Sequence, residues 1–214
     1  MNKLNFYDYA KANGFPIPQT RYLNSVDDAE EAARELTFPC VLKPPMSASP
    51  AWEKNMKLKA YKLTSSSELL DFFKKSQEWA KNLIVQEWVE GPDSNLYSCN
   101  CYFNSKYEPL VTFVARKLRQ WPPVTGESCL GEEVRDDTVL DITMNLFRTA
   151  KLYGLGYVEI KRGINGRYYI IEPNIGRPTG RSPIAEAGGV ELLYTMYCDA
   201  LGLPLPEARE QKYT

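Results

Sequence analysis

The stretch 156–174 constrains the fold more than any other, because it sets two like charges against each other. It reads as strand, tight turn, strand. Asn165-Gly166 is the strongest two-residue hairpin signal available, since a type I′ turn needs positive φ at both central positions. With those two residues as the loop, Ile164 faces Arg167, and pairing outward puts Glu159 directly opposite Glu172. Like charges directly opposite in a sheet destabilise it, so the pair asks for a cation. Asn174 lies two residues past Glu172 and shares its face. Two carboxylates and an amide oxygen form a hard, all-oxygen set suited to magnesium. Register decides the matter: a three- or four-residue loop would put Glu159 opposite Ile171 or Ile170.

Composition narrows the function classes. The 214 residues suffice for one large domain or two small ones, and 43% hydrophobic with 25% charged residues is ordinary for a globular protein. A net charge of −1 gives no electrostatic footprint for nucleic acid or an anionic membrane. No apolar run is long enough to span a bilayer. Residues 1–9 mix polar and aromatic side chains and lack the apolar core of a signal peptide. A cytoplasmic chain with neither nucleic-acid nor membrane partner is expected. The five cysteines have no metal-type spacing and read as small buried residues in a reducing compartment. Histidine is absent, which removes Ser-His-Asp and Cys-His catalysis and every histidine-containing zinc site. Catalysis would have to run on carboxylates, lysines, arginines and a metal.

Along the chain, 5–13 reads as a short helix closed by Gly14, and 25–35 as a helix opened by Ser25-x-x-Asp28. Cys40–Lys43 is a short apolar strand stopped by Pro44-Pro45, and 57–64 is a strand. Ser65-x-x-Glu68 opens an amphipathic helix to about Lys81. A strand over 83–89 ends at Gly91-Pro92. Strands 96–103 and 109–118 form an antiparallel pair around Asn104-Ser105-Lys106. Helices over 139–153 and 190–201 flank the late hairpin. The order implies the α+β class.

Several residues could carry chemistry. Lys43, at the end of an apolar strand, could serve as a point charge on a phosphate or simply be a strand-end lysine. Strand 84–89 runs into Glu90-Gly91-Pro92-Asp93, offering free backbone groups for a flat base and a carboxylate for ribose hydroxyls, or merely an exit to solvent. Arg116-Lys117-Leu118-Arg119 reads first as solvated surface. Arg177 and Arg181 follow the Glu172/Asn174 strand in a Gly- and Pro-rich stretch, where a substrate loop would be expected.

A strand-end lysine, a strand-to-turn segment ending Gly-Pro-acid, and a late Glu…Glu-x-Asn hairpin in this order resemble the ATP-grasp superfamily over nearly the whole chain. The resemblance implies an ATP-grasp fold, with two α+β subdomains whose antiparallel sheets enclose a nucleotide site. Residues 1–24 would be an entry helix and linker, 25–88 the small subdomain, and 89–214 the large one with the metal site. Met1-Asn2-Lys3-Leu4 looks like the family's opening "DK" element, with Asn2 in place of Asp. By resemblance Lys3 and Lys43 bind phosphates, Gln86, Glu87 and Val89 frame the adenine largely through backbone, and Asp93 takes the ribose. Glu159, Glu172 and Asn174 match the metal triad, and Arg177 the arginine after it, one residue later than usual. The stretch 116–123 looks like the D-aspartate ligase and related carboxylate–amine ligase branch, making Arg116 and Arg119 candidates for phosphate or substrate carboxylate, while Arg181 remains a candidate of the expected substrate loop.

The activity implied is that of a ligase using ATP and magnesium, or manganese, to activate a carboxylate as acyl phosphate for attack by an amine, with amino acids as candidate substrates. Two departures qualify it. The loop after Lys43 has no glycine to wrap phosphates, leaving Ser47 and Ser49 as substitutes. The chain also begins at the "DK" element, where the family carries a Rossmann-like domain beforehand. The rival expectations are a nucleotide-binding module without turnover, or a subunit needing a partner that supplies that domain. A homodimer is the other assembly consistent with the sequence.

Overall fold

A computed structural model describes residues 2–46, 49–124, 126–176 and 182–211. The chain divides into two compact units, 1–90 with 122–127 and 91–121 with 128–214.

In the first unit, α1 (Lys3–Ala12) starts where Asn2 accepts a hydrogen bond from the Leu4 N–H at 2.9 Å. β1 (Thr20–Leu23) follows, then α2 (Val26–Glu35). Ser25 and Asp28 cap α2 reciprocally, as their spacing predicts. β2 (Cys40–Lys43), α3 (Pro50–Asn55), β3 (Tyr61–Leu63), α4 (Ser66–Ser76) and β4 (Leu83–Glu87) complete the unit. The sheet order is β1-β4-β2-β3. Leu23, Leu42, Leu63 and Val85 pack against Ala29, Ala32, Leu69 and Phe73 of α2 and α4.

In the second unit, a 3-10 turn (Asp93–Asn95) leads into β5 (Leu96–Phe103), followed by β6 (Pro109–Trp121) and β7 (Glu127–Glu133). Next come α5 (Asp137–Thr149), β8 (Gly154–Arg162), β9 (Tyr168–Ile175), α6 (Ser182–Ala187) and α7 (Leu192–Leu201). The five strands run in the order β7-β6-β5-β8-β9. α5 lies on one face, with Phe147 edge-on to Phe103 at 6.1 Å between ring centres. On the other face Val190 and Leu192 cover Tyr102, Val111, Phe113 and Leu155. No helix among the described residues is long and apolar enough to cross a membrane.

Several elements differ from the sequence reading. Helix 139–153 is shorter at its C-terminal end, because Lys151 turns to φ +50°. Strand 57–64 contracts to Tyr61–Leu63, and the helix from Ser65 stops at Ser76. β1, α3, β7 and α6 are additions to that reading. All of them are short or lie on an edge, where periodicity is weakest.

Candidate functional site

The late hairpin reaches the expected pairing by an unexpected route. Gly163 N–H donates to the Arg167 carbonyl at 2.8 Å, so three residues form the loop, with only Gly166 at positive φ, +78°. That loop pairs Arg162 with Tyr168 and Ile160 with Ile170, one step out of the register a two-residue loop would give. A β-bulge between Glu159 and Ile160 then absorbs Ile171 and restores the step. Glu159 stands directly opposite Glu172, and Tyr157 opposite Asn174. A bulge inserts one unpaired residue and re-aims the side chains beyond it. Here it returns both carboxylates to one face.

Pairing across β5, β6 and β8 shows what else shares that face. Ser98 lies between Ala115 and Glu159, and Asn100 between Phe113 and Tyr157. By strand alternation Lys117 and Lys161 belong to the same face, one step beyond Ala115 and Glu159. Both lysines are buried, at 4% and 8% exposure, while Glu159, Glu172 and Asn174 are half-buried. The face is therefore apolar under Val190 and Leu192 and polar beyond them. Among the described residues no group of three or more His, Cys, Asp or Glu could hold a metal. Glu159, Glu172 and Asn174 would offer two carboxylates and one amide oxygen, hard oxygens of the kind that fit magnesium or manganese.

Neither buried lysine stands out in the sequence. Lys117 belongs to a charge run that reads as surface, and Lys161 comes two residues after Glu159. Their signal is parity along the strand, which becomes informative only once partner strands are known. Arg116 pairs with Tyr97, which alternation puts on the opposite face from Lys117, and forms an ion pair with Glu132. Hydrogen bonding to that carboxylate raises the guanidinium pKa further. Arg119 is exposed near the end of β6. Arg177 and Arg181 lie outside the described residues, as does Ser47.

Asp93 opens the 3-10 turn, where its Oδ1 accepts from Gln120 Nε2 at 2.7 Å.

The first unit gathers the other predicted residues. Lys43 is 8% exposed, and its ammonium donates to Tyr7 Oη at 2.6 Å and Gln86 Oε1 at 2.9 Å. Both of these acceptors are neutral oxygens, and they orient the ammonium. Gln86 Nε2 donates in turn to Thr20 Oγ1 at 2.8 Å. Lys3 is also buried, and its backbone N–H donates to the carbonyl of Pro45, two residues past Lys43, at 3.0 Å. α1 thus brings Lys3 and Tyr7 to the end of β2.

The Glu87 side chain serves structure, accepting from the Thr37 N–H at 2.9 Å. The N–H groups of Glu87 and Trp88 donate to the carbonyls of Gln19 and Pro39. Among the described residues the Val89 backbone makes no hydrogen bond to another backbone group. Ser49 precedes α3, and its hydroxyl makes no cap bond. A cavity of about 350 Å³ beside this loop is lined mainly by apolar side chains, Pro44, Trp52 and Trp79 among them, with Ser49, Lys81 and Asn82 as its polar members.

No family model matches the chain. A D-alanine–D-alanine ligase of Pseudomonas fluorescens (strain Pf0-1) is 22% identical over 183 residues, covering 81% of this chain and 53% of the relative. The chain therefore spans about half the length of the curated relatives it matches. Among solved structures, a biotin carboxylase–ATP complex from Campylobacter jejuni superposes with TM-score 0.74 at 14% identity, covering 97% of this chain and 47% of that one. The biotin carboxylase domain of a Hydrogenobacter thermophilus 2-oxoglutarate carboxylase, solved with MgADP, gives 0.69 at 13% identity, covering 98% and 47%. Two antiparallel sheets in separate α+β units, matched over nearly their full length to such proteins, give the chain the ATP-grasp fold.

Proposed function

We propose that the chain is the nucleotide-binding part of an ATP- and magnesium-dependent carboxylate–amine ligase. The observation that carries this reading is the Glu159/Glu172 pair with Asn174 on one half-buried face. A sheet keeps like charges opposite each other at a cost, and a bound divalent cation offsets it. Magnesium, when bound, would neutralise charge on the β- and γ-phosphates as the phosphoryl group moves.

The chain's own residues would do the rest. Lys3 and Lys43 hold phosphate oxygens, Lys43 being pre-oriented by Tyr7 and Gln86. The 86–89 segment frames the adenine through backbone, with Val89 offering the groups left open. Asp93 accepts from ribose hydroxyls. Arg119, Arg177 and Arg181 take the substrate carboxylate or the phosphate. The γ-phosphoryl passes to the carboxylate, giving acyl phosphate and ADP. An amine then attacks the acyl carbon and expels phosphate, leaving an amide. Such chemistry is mostly positioning and electrostatics, so the lack of histidine is no obstacle.

The resemblance to D-alanine–D-alanine ligases favours small amino acids as both substrates. An assay of ADP release against panels of carboxylates and amines tests the reading. Release should require both substrates and magnesium, and should vanish in Glu172→Gln with the fold intact. Undiminished release in that variant removes the metal assignment. MgATP binding without release under any pairing would favour the module without turnover.

A further inference from the structure

The turn after Gly91 is held far more firmly than a surface turn requires. Lys161 Nζ donates to the carbonyls of Gly91 at 2.9 Å and Pro92 at 2.5 Å. Asn95 Nδ2 donates to the Arg162 carbonyl at 3.0 Å, closing the turn's other end onto the same strand. Gln120 holds the Asp93 carboxylate at 2.7 Å, and Lys117 Nζ donates to Gln120 Oε1 at 3.2 Å. Gly91 adopts φ +145°, and a Cβ there would meet Asn95 Nδ2 at 3.0 Å and the Arg162 carbonyl at 3.2 Å. A buried ammonium is costly unless its protons are satisfied. Two adjacent carbonyls accepting from one lysine therefore specify a single backbone path.

That path fixes Asp93, the residue immediately after Pro92. One carboxylate oxygen is occupied by Gln120, and among the described residues the other accepts no hydrogen bond. An ionised carboxylate only accepts, so this position suits a ligand's hydroxyls and disfavours its phosphates.

We propose that Lys161 and Gln120 are positioning residues that pre-set Asp93 for a vicinal diol, making the site selective for ribonucleotides. This rests on the nucleotide reading above. Neither residue touches the reacting atoms. Lys161 acts through the backbone of Gly91 and Pro92, and Gln120 through the Asp93 carboxylate.

The test compares the dissociation constants of ATP and 2′,3′-dideoxy-ATP by calorimetry with magnesium, with magnesium tripolyphosphate as a probe lacking the sugar. Wild-type protein should prefer ATP by about tenfold or more, as expected for hydrogen bonds to a charged group. Lys161→Met and Gln120→Leu should each bring that preference down to about twofold or less, while tripolyphosphate binds as in wild type. Lys161→Arg, which retains donors, should keep most of the preference. Should Lys161→Met fail to fold, Gln120→Leu on the half-exposed end of β6 still decides. Unchanged preference in a folded Gln120→Leu or Lys161→Met variant overturns the inference and leaves the nucleotide reading standing. Wild-type protein that binds no ATP overturns both.

Discussion

At the scale of single residues, burial sets Lys3, Lys43, Lys117 and Lys161 apart from the lysines on the surface. Lys43 is held by two neutral oxygens at the end of β2. Lys43→Met should weaken ATP binding by about 1.5–3 kcal/mol, roughly 10- to 100-fold, with little change in cooperative unfolding. Titration calorimetry beside a denaturation curve checks this. The cysteines give a second residue-level expectation. Burial pushes the Cys40 and Cys99 thiols up to about 12, with the Glu87 charge adding at Cys40. Cys129 is exposed, and the other four are buried. A thiol reagent should therefore label one cysteine quickly in the native protein and all five after denaturation, and Cys129→Ser should remove the fast phase. Residue type is what the sequence reveals at this scale. Which lysines lose their water depends on neighbouring strands, so Lys117 and Lys161 escape notice while the exposed Arg119 does not.

At the scale of elements, the local signals with a short-range cause hold best. Ser25-x-x-Asp28 and Ser65-x-x-Glu68 open α2 and α4 because a side-chain oxygen and an orphan N–H lie within one turn. Ser25→Ala should cost about 1 kcal/mol of stability. The hairpin teaches the opposite lesson. Asn165-Gly166 marks the turn correctly but not its length, and the Ile171 bulge that repairs the register leaves no trace in composition. The Glu159/Glu172 pairing is thus legible, although the route to it is not. Gly156 shows packing that sequence alone hides: a Cβ there would meet Leu152 at 2.9 Å and Phe147 at 3.0 Å. Gly156→Ala should overpack the interface of α5 with β8 and cost about 1–3 kcal/mol, seen as a lower denaturation midpoint.

At the scale of the whole chain, the two units have separate cores and separate shares of the candidate chemistry. The order of signals along the chain points to both, because the candidate lysines, acid and metal-binding residues each end or follow a recognisable strand. Alkaline pH offers a global check. The Cys40 and Cys99 thiols ionise near 12 when folded, above the ordinary thiol value of 9.0. The stability they contribute is complete below the unfolded value and lost as pH rises through the folded one. The thermal midpoint should therefore fall as pH climbs above about 9, and less steeply in a Cys99→Ala background. If Glu159, Glu172 and Asn174 hold the cation, ATP binding depends on magnesium through them. Calorimetric titration of ATP with and without magnesium, into wild-type protein and Glu172→Gln, tests it most directly. Wild-type protein should bind ATP tightly only with magnesium, and Glu172→Gln should lose that dependence. Equal magnesium-dependent binding by the two proteins would contradict it.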